Sequence, residues 1–83
     1  MKYGMITFRS VTPAQGSEGL LRRAGIGCTL HRTPRWMEQQ GCGYSLQLPF
    51  SNGAEAVALL RKGKVPFRKA YLWQDGTAEE LAL

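Results

Sequence analysis

Cysteine, histidine and acidic side chains are the scarce residues of this chain. Its 83 residues hold two cysteines, one histidine and six carboxylates. Such a set lacks the paired-cysteine spacing of a four-ligand metal site. Cys28 and His31 would also face opposite ways on an extended strand. No metal and no cofactor are therefore expected. Two thiols do not make a disulfide framework either, and the expectation is a reducing, cytoplasmic setting. No carboxylate pair stands ready for acid–base work, and no glycine-rich loop follows a strand to cradle a phosphate. Apolar runs stay far below the length of a membrane span, and residues 1–9 are too short an apolar stretch for a signal peptide. Association with a membrane is not expected.

What the chain has instead is positive charge. The net charge is +5, and three of the six acids, Asp75, Glu79 and Glu80, fall in the last nine residues. Residues 1–74 carry eleven basic against three acidic side chains, a balance of +8. A surface of that sign favours an acidic partner, whether a nucleic acid, a small anion or an acidic protein face. Helix macrodipoles offer a plainer account of Arg22, Arg23, Arg61 and Lys62, which fall in predicted last turns. That account does not cover Arg32, Arg35, Arg68 and Lys69.

The order of elements follows from periodicity. Residues 2–9 alternate as a strand, with Gly4, Ile6 and Phe8 on one face and Tyr3, Met5, Thr7 and Arg9 on the other. Thr12 as N-cap and Pro13 at the first helical position open a helix that Gly25 ends. A second strand is predicted over 26–33, a loop over 34–41 and a third strand over 44–48. Asn52 with Glu55 resembles a capping box at the start of a second helix, which Gly63 closes. A fourth strand follows over 65–73. Thr77-Ala78-Glu79-Glu80 suits the start of a short terminal helix. Strand, helix, strand, strand, helix, strand predicts an α+β, ferredoxin-like βαββαβ fold: a four-stranded antiparallel sheet with two helices on one face. Residues 1–73 would form the domain, and 74–83 a turn with a short helical tail. Tyr3, Met5, Tyr71 and Trp73 could share the uncovered face, a surface suited to a homodimer, a partner domain or stacked bases.

The two thiols read differently. Cys28 alternates with Ile26 and Leu30, the pattern of a small apolar core residue. Cys42 stands between Gly41 and Gly43, with little to pack on and a backbone that another molecule can approach. A thiolate is the reactive form of cysteine, and nearby cations favour it. Arg32 and Arg35 precede Cys42 closely enough to supply such cations if the loop folds back. An inert loop cysteine is the competing reading. A ribonucleoprotein platform is disfavoured, because Gly43-Tyr44-Ser45-Leu46-Gln47-Leu48 lacks the basic start and paired aromatics of that motif.

Three stretches together resemble a known family. They are Tyr3 to Ser10 with Ile6-Thr7-Phe8-Arg9-Ser10, Gly25-Ile26 followed by Thr33-Pro34-Arg35, and Gly41-Cys42-Gly43 followed by an alternating strand. Their order and spacing are similar to the short bacterial selenium/sulfur carrier protein-like family, over about residues 2–73. The resemblance implies a small α+β carrier whose Cys42 transiently bears sulfur or selenium, with Arg35 as the neighbouring cation. Donor and acceptor proteins would be its partners, and the donor enzyme would do the harder chemistry. The chain would then be a carrier rather than a self-sufficient enzyme. The alternative is a ferredoxin-like binding or dimerisation module indifferent to the thiol. A weaker one is an RNA binder using the cations of 61–69.

Overall fold

The computed structural model describes residues 2–32 and 43–81. In chain order the elements are β1 (Lys2–Phe8), α1 (Val11–Arg23), β2 (Thr29–Arg32), β3 (Tyr44–Pro49), α2 (Gly53–Lys62), β4 (Lys69–Gln74) and β5 (Thr77–Glu80), with a single 3-10 turn, Phe50–Asn52, before α2. The strands form one sheet in the order β2-β3-β1-β4-β5, and every neighbouring pair is antiparallel.

The period of two in β1 sets the core. Ile6 lies opposite Leu46 on one side and Ala70 on the other. These residues join Phe8 and Leu48 in a cluster completed by Ala14 and Leu21 of α1 and by Ala56, Val57 and Leu60 of α2. Both helices thus cover the same face of the sheet, as their apolar stripes predict. Ser17 is buried among them because its hydroxyl donates to the Pro13 carbonyl at 2.8 Å, the back-bond that satisfies a helical serine.

The helix ends show how these elements are punctuated. Gly25 adopts φ 85, its N–H donates to the Arg22 carbonyl and the Ile26 N–H to the Leu21 carbonyl. This is a Schellman closure with glycine at its left-handed position. α2 closes by the same pair of bonds, from Lys64 to Arg61 and from Val65 to Leu60. Here the left-handed residue is Lys64, at φ 56, while the expected Gly63 keeps a right-handed φ of −80.

Several expectations need correction. The sheet has five strands among the described residues, not four. The expected tail helix over 77–80 is β5, because Asp75 and Gly76 both take positive φ (48 and 85). That is the twist a two-residue hairpin needs, and Gln74 pairs with Thr77 across it. α1 begins at Val11 with Ser10 as N-cap, ahead of Thr12. The described part of the second strand is only Thr29–Arg32. The fourth strand starts at Lys69 rather than at 65, since Pro66 has no N–H to give a ladder. Asn52 does precede α2, but its amide donates to the Glu55 carboxylate (3.0 Å) rather than capping the backbone.

Candidate functional site

Antiparallel pairing gathers cations at one end of the sheet. β3 begins at Tyr44, which lies opposite Phe8 of β1 and Arg32 of β2. Gly43, buried, leads into that strand. β1 continues past Phe8 into exposed Arg9 and Ser10, and α1 starts there. β4 begins at the same end, with Lys69 opposite Thr7 and the Arg68 N–H donating to the Thr7 carbonyl at 2.7 Å. Thr7 holds that strand start in register. Its Oγ1 donates to the Lys69 carbonyl and accepts from the Lys69 N–H (3.3 and 3.2 Å). Arg61, in the last turn of α2, lines a groove with Phe67 and Lys69. Arg9, Arg32, Arg61, Arg68 and Lys69 therefore lie spread along the sheet end from which residue 43 emerges. Among the described residues Glu80 is a carboxylate at that end, at 3.4 Å from Lys69, and both side chains are more than half exposed. Such a pair is weakly held and screened by salt.

Of the site residues expected from the sequence, Gly43 and Arg32 flank this end. Cys42, Arg35 and Gly41 lie outside the described residues. Arg9 was not anticipated as part of a site. A single cation between a strand and a helix start was its only signal.

Cys28 is buried, as its alternation with Ile26 and Leu30 predicts. Its Sγ–H points at the Glu18 carbonyl at 3.8 Å, and Arg22 donates to the Cys28 carbonyl at 3.0 Å and to the Glu18 carboxylate at 3.4 Å. Burial pushes the thiol pKa up, and the hydrogen bond from Arg22 opposes this only in part. A thiol so placed is a poor nucleophile. Among the described residues no group of His, Cys, Asp and Glu side chains is placed to hold a metal ion. No described helix is long and apolar enough to cross a membrane.

The face of the sheet away from the helices carries the expected aromatics. Tyr3 and Trp73 stack with centroids 5.9 Å apart and planes 12° from parallel, and Met5 lies opposite Tyr71. Ser45 is buried on this face, and its hydroxyl finds no hydrogen-bond partner among the described residues.

A family description, "Putative Se/S carrier protein-like", matches residues 3–72. The chain belongs to this Se/S carrier-like family. The match spans both flanks of residues 33–42 and so includes Thr33-Pro34-Arg35 and Gly41-Cys42-Gly43, the stretches on which the likeness was first read. No curated protein and no solved structure matches the chain. Within the Se/S carrier-like reading, the two thiols of this chain are not equivalent: Cys28 is sequestered in the core.

Proposed function

We propose that the protein carries sulfur or selenium on Cys42, accepting the atom from a donor protein and passing it to an acceptor. Membership of the Se/S carrier-like family over residues 3–72 is the observation that carries this reading. Burial of Cys28 supports it by taking the other thiol of the chain out of exchange. The cations at the end of the sheet next to Gly43 support it electrostatically, because a thiolate and a persulfide are both anions. In the exchange the Cys42 thiolate attacks the outer sulfur of a donor persulfide. A new S–S bond forms at Cys42, the donor S–S bond breaks, and the donor leaves as a thiolate. The electrons balance without an external oxidant. Arg35 and Arg32 are assigned the stabilisation of the thiolate, and Gly41 and Gly43 the close approach of the partner. The carrier reading places the protein in a reducing cytoplasm. The β2-β3-β1-β4 portion, with two helices on one face, is read as a ferredoxin-like core to which β5 adds an edge strand.

The test is incubation with a cysteine desulfurase and cysteine, followed by intact mass measurement. Wild type should gain the mass of one sulfur, and Cys42→Ser should not. A second reading, pairing through the open sheet face, is favoured by the Tyr3–Trp73 stack. Sedimentation of wild type against Trp73→Ala separates it, since only that reading requires a concentration-dependent dimer.

A further inference from the structure

The register of the sheet sets how far apart the two thiols are held. Thr29 lies opposite Gln47 and Arg32 opposite Tyr44. Tyr44 is thus three positions along β3 from the partner of Thr29, about 10 Å at the rise of a strand. Cys28 precedes Thr29 and lies one position further off, about 13 Å from Tyr44 along the strand direction. The first helix gives the same separation independently. Phe8 pairs with Tyr44, and α1 starts at Val11 just beyond Phe8. Arg22, in the last turn of α1, donates to the Cys28 carbonyl at 3.0 Å. The 11 residues from Val11 to Arg22 rise about 16 Å. Cys28 therefore sits at the far end of the sheet from Tyr44. Cys42 is two peptide bonds from Tyr44, a reach of at most ~7 Å. Directed straight back along β3, its Cα would still stop ~6 Å short of Cys28, and the ~5 Å between neighbouring strands widens the gap. A disulfide needs its Cα atoms within ~7 Å and its Cβ atoms turned toward each other. The Cys28 side chain is instead packed into the core with Ile26 and Leu48, its Sγ–H on the Glu18 carbonyl at 3.8 Å.

We propose that the carrier has no resolving thiol of its own, so that the step consuming its cargo is attack by the thiolate of a second molecule. For the cargo itself this rests on the carrier reading. The acceptor thiolate bonds to the outer sulfur of the Cys42 persulfide, the S–S bond at Cys42 breaks, and Cys42 leaves as a thiolate. The acceptor then holds the persulfide, with no net oxidation or reduction. The competing internal step is closed by the fold. In that step the Cys28 thiolate would bond to Cys42 Sγ and expel the outer sulfur as hydrosulfide. The two cysteines would be oxidised to a disulfide, the outer sulfur would be reduced, and the cargo would be lost as sulfide. Holding the thiols at opposite ends of the sheet keeps the sulfur for delivery.

The test has two arms, both on the full chain. In the first, native protein is oxidised by diamide in the presence of glutathione, a reaction that needs no donor enzyme and does not depend on the carrier reading. Tryptic mapping without reductant should find peptide 36–61, which holds Cys42, joined to glutathione or to a second 36–61, and never to peptide 24–32, which holds Cys28. In the second arm, Cys42 is loaded with inorganic polysulfide and freed of reagent. Sulfide release should then be alike for wild type and Cys28→Ala, and transfer to glutathione should rise in proportion to its concentration. An internal thiol acts at an effective concentration on the order of millimolar. Internal resolution would therefore discharge wild type more than about tenfold faster than Cys28→Ala in micromolar glutathione, at a rate independent of the glutathione added. That result overturns the proposal, as does a link between 24–32 and 36–61, or a peptide 36–61 that forms no disulfide with any second molecule. Failure of Cys42 to load counts against the carrier reading and leaves the diamide arm to decide whether the chain can close on itself.

Discussion

Replacing Lys64 by glycine should stabilise the protein. Lys64 sits at φ 56 as the left-handed residue that closes α2, held there by the bonds from Lys64 to Arg61 and from Val65 to Leu60. An L-residue with a Cβ pays roughly 1–2 kcal/mol for that conformation. Glycine removes the strain but has more freedom to lose on folding, so about half the gain remains, ~0.5–1 kcal/mol. In a domain of this size that is about 2–8 °C in melting temperature. The neighbouring Gly63 provides the control. Its φ is −80, and an added Cβ would meet the Leu59 carbonyl oxygen at 3.4 Å and Leu20 Cδ2 at 3.5 Å, ordinary contacts. Gly63→Ala should thus be neutral or stabilising by up to ~1 kcal/mol. Thermal melts followed by circular dichroism measure both. A loss of more than about 1 kcal/mol for Gly63→Ala with no gain for Lys64→Gly would refute the reasoning, since it would put the left-handed residue at Gly63.

Other outcomes follow from the same contacts. Leu60→Ala, at a fully buried position between α2 and the sheet, should cost about 2–5 kcal/mol in urea unfolding. The raised pKa of Cys28 means that the folded state favours the neutral thiol. Its contribution is complete below the pKa of the unfolded thiol and is lost as pH rises through the folded value, so wild type should lose stability at alkaline pH more steeply than Cys28→Ala in paired pH–melt series. If Arg35 holds the Cys42 thiolate as proposed, Arg35→Ala should raise the pKa of Cys42 and slow its loading, because removing a cation near a thiolate disfavours it. An unchanged pKa from pH-dependent alkylation rates would reject that role for Arg35.

Much of the architecture was legible because β1 and both helices carry clean periodicities. Ile6 and Phe8 fall on the core side with Leu21, Val57 and Leu60, and Tyr3 and Trp73 meet on the other side. The last strand was misread because Thr77-Ala78-Glu79-Glu80 satisfies a helix-start pattern in isolation. The Asp75-Gly76 pair was the overriding signal, since it forms a hairpin turn and presents 77–80 to β4 as a partner. Local chemistry at the end of α2 pointed to Gly63, but the register of the closing bonds assigns the left-handed position to Lys64. At the candidate site, burial of Cys28 could be read from alternation alone. The placement of Arg9, Arg32, Arg68 and Lys69 at one end of the sheet could not, because it depends on β2-β3-β1-β4 pairing between segments up to some sixty residues apart.

The central claim is that the chalcogen travels on Cys42 and not on Cys28. Trypsin separates the two thiols, cutting after Arg23, Arg32, Arg35 and Arg61 to leave Cys28 in peptide 24–32 and Cys42 in peptide 36–61. Protein loaded by a cysteine desulfurase, trapped with iodoacetamide, digested and mapped by mass spectrometry should show the alkylated persulfide on peptide 36–61 alone. An added sulfur on peptide 24–32, or on neither peptide across several donor enzymes, would contradict the account.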